Sequence, residues 1–326
     1  MRYWASLLVL LLVCGLLVAC QSRAVLVSPT QARGPDASAR PNGPVLLPTA
    51  TDVPSPTPTL LPLSPGSSAS LSPTTDPALV AWQSLPIAPT EISPRVREIY
   101  RLGLELGNNP NAFSNIGDCD ATTTWFLSDF DLGPQYYSLG EYGYLQAVID
   151  AFHGSFSRQS IAVQRGFTAA SVLTPLWADP AQCKHDETSL ACEVRLYKPA
   201  FAFILLGTDD ANHPEVFEAD LRQILDYLIT QGVVPILATK ADNLEGNHSI
   251  NATIARLADE YDLPLWNFWL AVQPLPDHGL QGDGIHLTWA SNHFDDPVRM
   301  EAAWPWRNLI ALQTLDFIWH AVTTQP

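Results

Sequence analysis

Residues 199–210 read PAFAFILLGTDD. Ala200 to Leu206 is an unbroken apolar run bounded by Pro199 and Gly207, the pattern of a strand buried on both faces of a parallel sheet. Working outward, Phe217, Leu221, Ile224, Leu225 and Leu228 form one apolar stripe at helical spacing. Gly232 ends that helix, and Val233 to Ala238 is a second buried strand. Downstream, the pattern predicts a helix over 251–261, a short strand over 265–268 and a closing helical region over 301–322, rich in Trp and Leu. Upstream, Ser93 followed by Pro94 is a helix start. Val96, Ile99, Leu102 and Leu106 then share a face, and Gly107 stops the helix. A strand over 111–117, a helix over 142–152 and a strand over 160–164 complete the series, with no internal repeat. Strands alternating with helices predict an α/β fold whose parallel sheet is covered on both faces.

In such sheets ligands bind beyond the carboxyl ends of the strands. Three predicted strands end there in unusual sequences: Gly117-Asp118-Cys119, Arg165-Gly166 and Gly207-Thr208-Asp209-Asp210. A fourth stretch, Gly282-Asp283-Gly284-Ile285-His286, lies in a loop before the last helix. Cys119, framed by two aspartates, is open to four readings: nucleophile, metal ligand, half of a disulfide, or small buried residue. Asp283 and His286 are spaced so that the carboxylate reaches one ring nitrogen and leaves the other as a base. A strand-end nucleophile, that pair and glycine-bearing loops with free backbone N–H groups would make a complete acyl-transfer set.

The order and spacing of these blocks resemble the SGNH (GDSL-type) hydrolase family over roughly residues 110–290. The resemblance implies a flavodoxin-like three-layer α/β/α fold and chemistry on acyl esters. Gly117-Asp118-Cys119 matches the family's nucleophile turn and Gly166 its second-block glycine. Gly207-Thr208-Asp209-Asp210 matches the third block, and Asp283 with His286 the last. Carried over residue by residue, Cys119, Asp283 and His286 would be catalytic. Cys119, Gly166 and Asp209 would line the oxyanion hole, with Gly117, Asp118, Gly207 and Asp210 in support. Two positions depart from the pattern. Cysteine replaces the nucleophilic serine, a competent exchange. Asp209 replaces an asparagine that donates to the oxyanion, and an ionised carboxylate accepts only. Loss of such a donor costs about 3–4 kcal/mol of transition-state stabilisation. Both an active esterase or acyltransferase and a degenerate module binding cell-envelope or extracellular glycans therefore remain open. Crowding of Asp118, Asp120, Asp209 and Asp210 would raise their pKa values, and a protonated Asp209 could donate.

The remaining features concern placement. Residues 1–19 pair a basic Arg2 with an apolar run too short for a comfortable span, and Leu17-Val18-Ala19-Cys20 resembles a bacterial lipoprotein signal with Cys20 lipidated. Residues 20–90 are rich in Pro, Ser and Thr and read as a tether without a fold. Residues 91–326 form the hydrolase-like domain. The expectation is an exported chain, lipid-anchored at the outer face of the membrane. There, Cys183 and Cys192, flanking a short polar loop, are a disulfide candidate. A net charge of −16 argues against nucleic acid as partner. No metal or other cofactor is expected: the other histidines show no ligand spacing such as HExxH, and the acidic cluster with His286, which could form an oxygen-rich divalent site, is read as hydrated or capped by backbone N–H groups. The expected partner is a small acyl ester or acylated carbohydrate, and the sequence leaves the oligomeric state open. The Thr239–Asn243 loop and the aromatics Trp125, Tyr136, Tyr137, Tyr142 and Tyr144 are further candidates for substrate contact.

Overall fold

Nine residues from Asn109 to Gly117 form β1, whose second half is fully buried, and Pro199–Leu205 forms β3, buried along its whole length. The two pair in parallel from Phe113↔Phe201 to Gly117↔Leu205. With β4 (Val234–Ala238) and β5 (Leu265–Trp266) they make a four-stranded parallel sheet in the order β1-β3-β4-β5. The computed structural model describes residues 80–324. The signal segment 1–19, Cys20 and the tether up to residue 79 lie outside them.

The segment 160–164 is not a strand. It meets the sheet through a single parallel bridge, Gly117↔Val163, on the free side of β1. Its backbone donors are engaged by side chains: Glu193 accepts from Ile161 N at 2.9 Å and the Ser160 hydroxyl accepts from Ala162 N at 3.1 Å, so these donors are taken before a ladder can form. Counting that bridge, the sheet follows the flavodoxin-like order, with the crossover reversing between β1 and β3.

The covering helices are α1 (Pro94–Glu105), α2 (Ser189–Tyr197), α3 (Pro214–Thr230), α4 (Ser249–Glu260) and α5 (Ala303–Thr323). Ser93 caps α1, accepting from Val96 N at 3.3 Å, with Pro94 in the first turn. The buried stripe of α1 is Val96, Ile99, Tyr100 and Gly103. Leu102 and Leu106, assigned to it from spacing, are exposed. Helices α2 and α3 carry the chain from the bridge to β3 and from β3 to β4; α4 carries it on to β5. Right-handed crossovers in one direction place all three on the same face. Helices α1 and α5 pack against one another and the sheet, completing a three-layer α/β/α arrangement.

Smaller elements fill the edges. Tyr137–Ser138 (β2) and Asn292–His293 (β6) form a two-residue parallel ladder. Cys183 and Cys192 are disulfide-bonded, with Cα atoms 5.3 Å apart. The ordered domain also reaches back past residue 91. Trp82 is buried, and Asn267 Nδ2 donates to Trp82 O and Leu85 O at 3.0 and 3.1 Å. Among the described residues no helix is long and apolar enough to cross a membrane.

Candidate active site

The Cys119 turn is built by the end of β1. A Cβ on Gly117 would lie 2.3 Å from Leu205 O, so only glycine lets β1 approach β3 this closely before the chain turns. Asp118 is buried, and its carboxylate accepts from Asp120 N at 3.0 Å, capping the 3-10 turn Cys119–Ala121. Thr122 donates to Cys119 O through N (3.2 Å) and Oγ1 (2.9 Å), fixing the far side. Cys119 is a free, half-buried thiol.

The loop before α5 brings the imidazole. Asp283 Oδ1 accepts from Ile285 N and His286 N, both at 3.0 Å, which folds the loop around the carboxylate. Its Oδ2 lies 2.7 Å from His286 Nδ1. These bonds, led by the one from His286, hold the Asp283 carboxyl down at about 2. Nδ1 is thereby fixed as the donor, and Nε2 is left as the basic nitrogen. Cys119 and His286 line one cavity of ≈ 90 Å³ with Asp120, Trp125, Gln281, Leu287, Trp289 and Trp304. A larger groove of ≈ 460 Å³, between residues 85–96 and 258–265, holds none of the candidate residues.

The electrostatics around the thiol are adverse to ionisation. Burial, then the carboxylates of Asp118, Asp120 and Asp209, push Cys119 up to about 12, while Arg307 pulls the other way. Asp118 itself is raised well above the carboxylate range by burial and by Asp120. Burial also raises Asp120, against the charges of Arg307 and His286.

The other two sheet-end blocks meet each other. Gly166 has φ +82°, and its N–H donates to the Asp209 carboxylate. Burial and the nearby Asp242 raise Asp209, and the Gly166 bond partly offsets them. The glycine expected to donate to an oxyanion therefore already donates to Asp209. Cys119 N opens the 3-10 turn, where helical geometry supplies no acceptor. Asp210 is turned away from the thiol: its Oδ1 accepts from Ala169 N at 2.9 Å, and burial lifts its pKa to about 6.

Several sequence expectations are redrawn. The Thr239–Asn243 loop is tied up in a buried ion network. Lys240 Nζ bonds Asp242 Oδ1 at 2.5 Å and Glu245 Oε2 at 2.7 Å, and Thr208 Oγ1 donates to Asp242 Oδ2 at 2.8 Å. Of the proposed aromatic wall only Trp125 lines the cavity. Tyr137 packs on Phe130 and Tyr142 on Phe294, while the Tyr144 hydroxyl accepts from Gln313 Nε2. Tyr136 is exposed. Trp289 and Trp304 take the tyrosines' place. The first sits three residues beyond His286, a spacing that was readable; the second opens α5 and gave no signal.

Arg307 was not anticipated either. Its guanidinium is buried among Phe268, Trp266, Phe126 and Trp304, at 4.7 to 5.8 Å from the ring centroids. Its Nε and Nη1 have no hydrogen-bond partner, and it faces Asp118 and Asp120 across a cleft of about 10 Å³, room for about one water. The one group with metal-ligand spacing among the described residues is Cys183, Glu187 and Cys192, whose sulfurs are joined in the disulfide.

No protein-family model matches the chain, and no curated protein matches it. Solved structures similar to it include TesA, at 19% identity over 64% of this chain and 99% of that one, with a TM-score of 0.41. A GDSL-like lipase from Bacteroides thetaiotaomicron VPI-5482 is 13% identical over 68% of this chain and 98% of its own, with a TM-score of 0.39. A mutant of the esterase AlinE4 is 20% identical over 55% and 87%, with a TM-score of 0.32.

Proposed function

We propose that this chain is an SGNH-type acyl hydrolase whose nucleophile is the Cys119 thiol. The observation that carries the reading is the cavity shared by Cys119 and His286, with His286 Nδ1 held 2.7 Å from Asp283. In the first step Cys119 Sγ attacks an ester carbonyl while His286 Nε2 takes the thiol proton. The same proton then passes to the departing alkoxide, leaving a thioester on Cys119 and free alcohol. Water, activated by His286, hydrolyses the thioester to carboxylic acid and restores the thiol. Because the thiol is held protonated at neutral pH, proton transfer accompanies attack, as for a serine hydroxyl. Cys119 N–H is the donor left to the oxyanion, so turnover is slow while Asp209 is ionised.

A second reading, a tethered binding module without turnover, is favoured by one specific observation: the Asp209 carboxylate occupies the Gly166 N–H. The two are separated by assaying the full-length protein on short acyl esters and thioesters, with and without a thiol alkylator. Turnover abolished by alkylation supports the hydrolase. No turnover from acid to neutral pH, and none after Cys119→Ser combined with Asp209→Asn, leaves the binding role.

In either case the domain is proposed to hang from the outer face of the membrane by lipid on Cys20. A lipid adduct on the Cys20 peptide, lost in Cys20→Ser, is the expected mass-spectrometric result; an unmodified or absent Cys20 with the protein freely secreted contradicts it.

A further inference from the structure

We infer that the cavity at Cys119 and His286 receives the cationic head of an ammonium-bearing acyl ester, an inference that rests on the acyl-hydrolase reading and names its substrate class. Three indoles, Trp125, Trp289 and Trp304, line the cavity together with Asp120, and neither Lys nor Arg does. Indole faces attract cations, more strongly where water is excluded. Trp289 is largely exposed and Trp304 buried, so the lining runs from the surface to the floor. Trp125 stacks on Trp304 at 6.0 Å, and each ring already meets an arginine, Arg165 at 5.3 Å from the Trp125 centroid and Arg307 at 5.8 Å from that of Trp304, so Trp289 is the indole open to a ligand cation.

Asp120 supplies the complementary charge. Among the described residues no donor hydrogen-bonds its carboxylate, and its opposing charges are Arg307, across the small inner cleft, and His286, in the cavity itself. A neutral sugar suits the cavity less well. It would need several polar partners, but Gln281 Nε2 is committed to Leu287 O at 2.8 Å and His286 Nδ1 to Asp283. At ≈ 90 Å³ the cavity holds a compact group and not a chain of sugars.

The same charge also meets the mechanistic difficulty. Asp118, Asp120 and Asp209 face Cys119 and oppose a developing oxyanion, with Arg307 the opposing cation. A bound ammonium beside Asp120 offsets that field where the negative charge develops, so the substrate brings the cation that the oxyanion hole lacks. The ammonium then acts in the transition state more than in the ground state and raises kcat as well as lowering KM.

The test compares acetylthiocholine with its uncharged isostere S-(3,3-dimethylbutyl) thioacetate on the full-length protein, at constant ionic strength. Separately, tetramethylammonium binding is titrated by indole fluorescence. The expected result is kcat/KM roughly tenfold or more in favour of the cation. That ratio should fall towards one in Trp289→Leu and Asp120→Asn, and tetramethylammonium should bind and compete. Equal hydrolysis of both thioesters with no tetramethylammonium binding overturns the inference and leaves the hydrolase intact. Binding of tetramethylammonium without hydrolysis of either thioester supports the ligand class and contradicts the hydrolase. Neither binding nor hydrolysis overturns both.

Discussion

A thiol held at about 12 is ionised in roughly one molecule in 10⁵ at pH 7, against a few in a hundred for an ordinary cysteine. Cys119 should therefore react with iodoacetamide about 10³-fold more slowly than a free thiol at neutral pH, with a rate still climbing above pH 9. Labelling at the ordinary rate would mean that the three carboxylates do not act on it. Asp209 is the next residue to test. Asp209→Asn removes the carboxylate that accepts from Gly166 N–H and supplies a side-chain donor. Turnover should rise by roughly 10²- to 10³-fold at neutral pH, the range that one oxyanion donor contributes. The advantage should shrink on acidification, because Asp209 takes up a proton more readily than a free carboxylate and then donates by itself. A gain independent of pH would assign the effect to something other than that charge. Arg307→Met leaves Asp118 and Asp120 without their buried counter-charge; a loss of about 3 kcal/mol or more in denaturant unfolding is expected.

Among the elements, β1 carries the largest functional consequence. Gly117→Ala forces β1 away from Leu205 O and so displaces the turn that begins at Asp118. Activity should fall further than stability, measured side by side. The disulfide closes a short loop between Cys183 and Cys192, at a sequence separation of 9. Replacing both cysteines by serine should cost about 2–3 kcal/mol, by loop entropy. Elements whose pattern came from burial on both faces were legible in sequence: β3, β4 and the stripe of α3 stand where their apolar runs put them. The segment at 160–164 was not, because its pairing is decided by Glu193, more than thirty residues away. The Asp283–His286 contact was readable, since three residues on a turn set it locally. Arg307 and Trp304 reach the site from the last helix, and no local pattern marks a buried arginine as the neighbour of a turn almost two hundred residues earlier.

For the molecule as a whole, the acids at the carboxyl edge of the sheet govern the response to pH. Asp118, Asp120, Asp209 and Asp210 all have raised pKa values, Asp210 to about 6. A carboxylate with a raised folded pKa binds protons more tightly when folded. Its contribution is full below the unfolded value near 4 and is lost as pH rises through the folded value. Asp283 and Glu187, both held near 2, act oppositely, and their contribution disappears only as pH falls through that range. Thermal stability should therefore be higher at pH 5 than at pH 7.5 and fall again in strong acid. A midpoint that rises steadily from pH 5 to 7.5 would contradict the raised values. Whether this acidic edge performs acyl transfer is decided most directly by trapping the intermediate. Full-length protein mixed with phenyl acetate is quenched in acid within the first turnovers and its cysteine peptides are read by mass spectrometry. An acetyl group on the Cys119 peptide, absent in His286→Ala, is the expected result. Hydrolysis that proceeds with Cys119 never acetylated, or that survives Cys119→Ala, would contradict the thiol mechanism.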